Sequence, residues 1–410
     1  MDKLEAMLKY VSEHNDFYKK RIAEYGISNP LDITQWPILT RKELLENRYN
    51  MFSDGYKTKY FNQQLRRQFS SGSTGTPVSV YWDPIDYYSS TKLLWEKRYK
   101  YYNILPNDRR VMFTLRVFGK KYSDSVYYSI NKTNTLMVVN ISCLDEKYIA
   151  RLLKTIEAFQ PKWFYITPFV LSLLLEYYEK LSIKPPETLT YIESVGEYLT
   201  TTLQEQAKRY FSTPIVNMYG SEEMNGIAYE CPKGNMHILA GNVYVECFDH
   251  GCYNTSEGEA IITSIKNKAM PLIRYNQGDI IRKMRSNNTC SCGWSSPRIS
   301  VLKGRTHERI ILSQNVEISP YMLNELMEEV NNTSGDMITW YNYVFSKSNH
   351  QLKCYLTLRK KDWFKVVERL IRETLYTKLD TVCDMFSFET VLVDKPHVYN
   401  NKMSIIRIVD

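Results

Sequence analysis

Apolar and charged positions alternate at helical spacing through the first 25 residues, including DKLEAMLKYVSEHNDFYKKR at 2–21, which predicts an amphipathic helical start. A turn-rich stretch follows at 26–40, GISNPLDITQWPILT, and Thr40 then offers an N-cap to a helix beginning at Arg41. From about residue 78 to 300, short apolar runs alternate with longer amphipathic ones. The strand candidates are 78–82, 109–115, 135–142, 162–167, 190–196, 214–220 and 259–265. The helix candidates are 83–102, 145–159, 168–181 and 200–211. Strands alternating with helices imply a fold with parallel sheets covered by helices on both faces.

The rhythm changes after GRTHERI at 304–310. A helix at 319–332, a strand pair at 338–348 and 351–360, a second helix at 362–379 and a strand-like C-terminus at 385–410 describe a small α+β domain. The expected organisation is therefore α/β and two-domain. Residues 1–303 form a large N-terminal domain with a helical segment at 1–60, and residues 304–410 form a smaller C-terminal domain joined by a hinge near Gly304.

Composition narrows the function classes. At 43% hydrophobic and 24% charged residues, the chain reads as an ordinary globular protein. Its net charge of +8 is scattered in short pairs, so nucleic-acid binding is not implied. No apolar run approaches the length of a membrane span, and the N-terminus lacks a signal peptide's apolar core, so a cytoplasmic protein is expected. The eight cysteines are unlike a disulfide scaffold in a chain of this length.

One stretch raises a chemical question. Ser70-Ser71-Gly72-Ser73-Thr74-Gly75-Thr76-Pro77 places only small, hydroxylated or flexible residues just before the strand at 78. Glycines admit a close backbone approach, and N–H and hydroxyl groups can face an anion, as in a phosphate cradle. No lysine stands where a P-loop would need one. Four later segments accompany it: MYGSEEMNG at 218–226, PLIRYNQGDI at 271–280, the Gly304-Arg305 pair, and Lys402 in the C-terminal run.

In this order, and with FYKKRIAEYGI and WPILTRKELLEN near the start, these segments resemble the adenylate-forming superfamily. The likeness is greatest to its phenylacetate–CoA ligase-like and capsular-polysaccharide adenylase branch, and it covers nearly the whole chain. The resemblance implies an ATP- and Mg²⁺-dependent ligase. It would activate a carboxylic acid to an acyl-adenylate, release pyrophosphate, and pass the acyl group to CoA, a carrier-protein thiol, an amine or a hydroxyl. It implies that Ser70–Thr76 hold the phosphates and that Glu223 ligates magnesium. Tyr219, with Gly220, Ser221 and Glu222 beside it, would stack on adenine. Gly196 and Glu197 would line the adenine and acyl pocket, Asp279 and Arg305 would reach the ribose, and Lys402 would bridge the carboxylate and the α-phosphate. An adenylyltransferase that leaves AMP on its substrate, and an inactive nucleotide-binding interaction protein, are the alternatives; a homodimer is left open.

Three departures from the family pattern stand out. Glu222 replaces a Thr or Ser, His307 and Glu308 replace an acidic pair, and the 312–320 segment lacks a glycine found in many CoA-using relatives. Arg116, Lys120 and Lys121, in a segment expected to line the acyl pocket, point to a polar or sugar-related acid. Separately, Cys231 and His237 in ECPKGNMH and Cys290 and Cys292 in NTCSCGW have the donor chemistry of a structural Cys₃His zinc site between two turns.

Overall fold

A computed structural model describes residues 2–69, 78–114, 128–141, 146–249, 251–253, 255–284, 290–305, 309–313, 316–318, 320–394 and 406–410. Ser70–Thr76, Arg116, Lys120, Lys121, His307, Glu308 and Lys402, singled out in the sequence, lie outside the described residues. The chain forms two compact units, residues 1–108 with 216–301 and residues 109–215 with 302–410.

The first unit begins with helices Lys3–His14 and Asp16–Glu24. Asn15 caps the second of these through its side chain, which accepts from the Tyr18 N–H. The helix Arg41–Asn47 starts in a full capping box, with Thr40 and Glu43 each satisfying the other's backbone N–H. Strands Arg66–Phe69 and Ser79–Trp82 pair antiparallel, so they bracket the Ser/Thr/Gly stretch from both sides. Helix Pro84–Tyr102 follows, with Pro at its first turn and Asn103 in the left-handed conformation at its end.

The rest of this unit is a β-meander. Its strands run in the order Cys252–Tyr253, Val243–Asp249, Glu257–Ser264, Tyr275–Lys283, Arg298–Arg305, Met236–Ile238, Asn225–Glu230, Ile215–Ser221. The registered neighbours in this run are antiparallel. The alternating strand–helix rhythm therefore gives way to hairpins beyond residue 216, where the connections are too short for a crossover helix.

Arg274 ties the meander to the N-terminal helices. Its guanidinium is fully buried and forms a two-point ion pair with Glu246, Nε to Oε2 at 3.0 Å and Nη2 to Oε1 at 3.1 Å. Its remaining nitrogen donates to the carbonyls of Trp36 and Thr34. Its backbone is left-handed, with φ of 51°, and is held by bonds from its N–H to Thr263 Oγ1 and from the Leu39 N–H to its carbonyl. Tyr18 closes the same seam: its hydroxyl donates to Pro271 O and accepts from Ile273 N–H, both at 2.9 Å. The N-terminal pattern is thus a bracket around residues 271–276.

The second unit carries the parallel sheet expected from the sequence. Strands Tyr191–Val195, Trp163–Ile166, Arg110–Thr114 and Leu136–Asn140 run parallel in that order, and Tyr128–Ile130 adds an antiparallel edge. Helix Glu146–Phe159 buries Tyr148, Ile149, Leu152, Leu153, Ile156 and Phe159 against the sheet. Each such side chain contributes about 1.5–3 kcal/mol by leaving water. The C-terminal part has its own core around Ile310, Leu326, Tyr343, Leu356 and Ile371. Its sheet runs Ser387–Leu392, Gln351–Leu358, Ile338–Ser346, Ile406–Val409, with helices Pro320–Thr333 and Phe364–Leu379. Among the described residues, no helix is long and apolar enough to cross a membrane.

The buried pair generates a stability prediction. Arg274→Met or Glu246→Gln leaves the partner's charge buried without its counter-charge and should destabilise the protein by about 3–5 kcal/mol. Arg274→Lys should also lose much of the stability, because an ammonium cannot reproduce the two-point fork. Chemical-denaturant unfolding reads the change; a loss below about 1 kcal/mol, the scale of an exposed pair, would show that the seam does not depend on it.

Candidate functional site

Strand Ile215–Ser221 turns back on Asn225–Glu230 in a tight hairpin whose tip is Glu222, Glu223 and Met224. Gly220 is required at the turn, since a Cβ there would lie 2.5 Å from the Asn225 carbonyl oxygen. Ser221 Oγ accepts from the Met224 N–H, and Asn225 takes a left-handed φ of 64° to close the turn. Glu223 is buried at 6% exposure, with Arg41 Nη1 4.0 Å from its carboxylate. Glu222 lies near Tyr87, whose hydroxyl is pushed up by burial; Arg66, stacked 3.8 Å over the Tyr87 ring, opposes the rise and Glu222 adds to it.

A bulge in strand Tyr275–Lys283 makes a second, local turn at Asn276–Gly278 and presents Asp279. Asn276 sets it by accepting from the Gly278 N–H at 2.8 Å and donating to Glu259 at 2.6 Å, and Gly278 supplies the left-handed φ of 84°. The two turns meet. Tyr219 donates its hydroxyl proton to Asp279 Oδ2 at 2.8 Å, and the Gln277 amide donates to both Tyr219 Oη (2.6 Å) and Asp279 Oδ2 (2.8 Å). Tyr219 and Asp279, 60 positions apart in the chain, are thus neighbours.

In the second unit, Gly196 follows strand Tyr191–Val195 with a φ of 79°, and Glu197 turns back to accept from the Phe169 N–H at 3.1 Å. Its carboxylate sits at the N-terminus of helix Pro168–Lys180, where the helix dipole favours negative charge. Arg305 ends strand Arg298–Arg305.

The third group is the Cys/His cluster. Cys231 and Cys290 each open a C-x-x-G turn, closed by Gly234 N–H to Cys231 O at 2.9 Å and Gly293 N–H to Cys290 O at 3.1 Å. Strand pairing of His237 with Arg298 brings the two turns together. One donor atom from each of Cys231, His237, Cys290 and Cys292 lies within 4.8 Å of all the others. Cys231 and Cys290 sulfurs are 3.8 Å apart, and Cys292 Sγ is 3.5 Å from His237 Nε2. A tetrahedron with metal–sulfur bonds of about 2.3 Å has edges of about 3.8 Å, so the group fits Zn²⁺. His237 Nδ1–H donates to Ser296 O at 3.0 Å, which leaves Nε2, on the Cys292 side, as the atom that could ligate a metal. The imidazole stacks on Trp294, and burial, reinforced by Arg298 and Lys97, holds its pKa below the ordinary value.

A model of the AMP-binding enzyme family matches residues 66–243, a span that holds the Ser/Thr/Gly stretch and the Tyr219–Glu223 turn. The matched span is similar to the enzymes of the adenylate-forming superfamily. The curated relatives the chain matches are named phenylacetate–coenzyme A ligases. The chain is 22% identical to a phenylacetate–coenzyme A ligase of Pseudomonas putida over 82% of this chain and 76% of that one. It is 26% identical to the Thermus thermophilus enzyme of the same name, over 43% of this chain and 41% of the relative's length. The fold matches that of a 2-hydroxyisobutyryl-CoA ligase in complex with 2-HIB-AMP, with a TM-score of 0.74 at 16% identity, covering 99% of this chain and 88% of the other.

Two side chains that the motif pattern does not single out stand in the adenylate-forming cluster. Arg41 belongs to the N-terminal run that reads as a helix start, and Gln277 lies between Tyr275 and Asp279. Only their placement in space draws them to the site.

The cysteines carry a reactivity prediction. Burial pushes the Cys231 thiol up to about 11. Burial acts in the same direction on Cys292, but the Trp294 N–H and the Cys290, Cys231 and Tyr101 side chains outweigh it and bring that thiol below its usual value. In chelator-treated protein near neutral pH, iodoacetamide should therefore modify Cys292 before Cys231, as followed by peptide mass spectrometry. Labelling of Cys231 first would contradict this order.

Proposed function

We propose that the protein activates a carboxylic acid with ATP and passes the acyl group to CoA. The carboxylate oxygen attacks the α-phosphorus, a P–O bond forms, and the bond to the β,γ-pyrophosphate breaks. The observation that carries this reading is the meeting of Tyr219 and Asp279 at 2.8 Å, since it joins the adenine and ribose motifs of the adenylate-forming pattern in one place. An ionised carboxylate can accept from both ribose hydroxyls, and Tyr219, oriented by its bond to Asp279, presents a ring for the base. Ser70–Thr76 hold the phosphates from between two paired strands.

Glu223 supplies the hard oxygen that Mg²⁺ prefers, and a bound Mg²⁺ would neutralise phosphate charge as pyrophosphate leaves. Arg41 beside Glu223 offsets part of the charge of the Glu222–Glu223 pair. Lys402 neutralises the attacking carboxylate and the α-phosphate together. In this reading residues 304–410 move as a domain about Gly304-Arg305, first presenting Lys402 and then withdrawing it for transfer. Residues 310–406 have a core of their own, which supports a domain of this kind, and Trp340 packs with the core of residues 109–215. Relatives named as CoA ligases support CoA as the acceptor. Arg116, Lys120 and Lys121 favour a polar or sugar-related acid.

The Cys231, His237, Cys290 and Cys292 cluster is read as a structural zinc site. Its four protein donors leave no open position for a substrate, and it pins one end of the meander. The protein purified without chelators should carry about one zinc per chain, and Cys290→Ser should lose the metal and stability together. Elemental analysis finding no zinc, or finding it undiminished in the variant, would refute the site.

The activity itself is tested by pyrophosphate release against a library of carboxylic acids, with and without CoA. At least one acid should release pyrophosphate and yield its CoA thioester by mass spectrometry. Lys402→Ala should slow adenylate formation about 10²–10³-fold, the scale of one preorganised charge-stabilising group, while keeping most of the ATP affinity. Acid-dependent release at the normal rate in that variant would remove Lys402 from the mechanism.

A further inference from the structure

Gln277 holds an unusual position between the two recognition turns. Its amide nitrogen makes the 2.6 Å and 2.8 Å bonds to Tyr219 and Asp279, while its Oε1 is buried with no hydrogen-bond partner among the described residues. The amide orientation is set by chemistry. A flipped amide would place Oε1 2.8 Å from the Asp279 carboxylate oxygen, acceptor against acceptor. The nitrogen must face Asp279, so the oxygen must face away from it. A buried acceptor left unpaired is costly, and native proteins keep few of them without a functional reason.

We propose that Gln277 is a further nucleotide-recognition residue. Its NH₂ group fixes the Asp279 carboxylate and the Tyr219 hydroxyl in one arrangement, and its Oε1 accepts a hydrogen bond from a sugar hydroxyl of the bound nucleotide. The inference rests on the reading of Asp279 as the ribose-binding carboxylate. It adds to that reading a second acceptor, so that the hydroxyls of a ribose meet two acceptors rather than one. The neighbouring positions leave Gln277 to this task. Asn276 is engaged with Glu259 and the Gly278 N–H, and Gly278 supplies the left-handed turn. The Gln277 side chain thereby links what the Tyr219 turn and the Asp279 turn each present.

The test is calorimetric titration of the full-length protein with ATP, 2′-deoxyATP and 3′-deoxyATP in the presence of Mg²⁺. It needs no knowledge of the acid. Wild type should bind ATP more tightly than at least one deoxy analogue. Gln277→Met, which keeps the length and removes the hydrogen-bonding groups, should weaken ATP about tenfold, the scale of hydrogen bonds that include a charged group. It should weaken the disfavoured analogue much less, so the preference for the intact ribose shrinks. Gln277→Asn, one methylene too short to span both turns, should shift the preference in the same direction and serves if the Met variant does not fold. An unchanged ATP-to-deoxyATP ratio in a folded variant overturns the proposal, even if overall affinity falls, because that is the mark of a merely structural side chain. Wild type that binds all three nucleotides equally overturns the ribose reading of Asp279 along with it. Wild type that binds none overturns the adenylation reading itself.

Discussion

The buried Arg274–Glu246 pair is the constraint on which the geometry of the first unit depends. A guanidinium with no solvent exposure must spend its donors inside the protein, and Arg274 spends them on one carboxylate and two carbonyls. Those partners come from separate stretches of chain: Glu246 from a strand of the meander, Thr34 and Trp36 from the N-terminal turn. A left-handed backbone at a non-glycine residue costs of order 1 kcal/mol or more and persists only where its surroundings over-determine it. Here they do. Three residues beyond Arg274 the chain enters the turn that presents Gln277 and Asp279. The position of the proposed ribose carboxylate is therefore inherited from an ion pair that touches no ligand.

This explains a feature of the sequence that motif reading leaves as coincidence. The N-terminal run around Tyr18, Trp36 and Leu39 and the Arg-Tyr-x-x-Gly-Asp run are far apart in the chain, yet each is half of one seam. Leu39 exchanges backbone hydrogen bonds with Arg274 and Asn276, and Tyr18 bridges Pro271 and Ile273. Arg21 binds Glu43, the same residue that completes the capping box of the helix bearing Arg41. The polar residues of the N-terminal run are thus spent on holding the 271–276 segment and on aiming Arg41 toward Glu223.

Much of the fold was legible because element identity is a local property. The amphipathic stripe of 146–159, the apolar run of 191–195 and the Thr40 cap each announce themselves within a few residues. Pairing is not local, and there the pattern fell short. The alternating rhythm suggested parallel sheets throughout, whereas the strands from 225 to 283 pair antiparallel through short turns. The Cys/His cluster was legible because two C-x-x-G-like turns with a nearby histidine leave few other uses for their donors. Arg41 and Gln277 were not, since an arginine at a helix start and a glutamine within a turn are unremarkable until the fold shows what faces them. The same limit applies to Arg274, whose chemistry looked like part of a ligand motif and proved to be a buried scaffold.

The candidate site and the metal-like cluster share a construction. In both, the chemistry sits on a turn of a few residues between paired strands, and left-handed positions close the turn: Asn225 and Gly278 in one, Gly234 and Gly293 in the other. Strands have a side-chain period of two, so they can place a single residue well but cannot point consecutive residues the same way. A tight turn frees the placement of its residues from that period. At the hairpin tip Glu222 is exposed while Glu223 is buried, and Gln277 and Asp279 flank one glycine. Arg41 brings a counter-charge to 4.0 Å from Glu223 and is partly open to solvent. Such a pair is weak enough for a stronger cation to replace. Arg41 thereby moderates the charge of the turn that carries the proposed Mg²⁺ ligand.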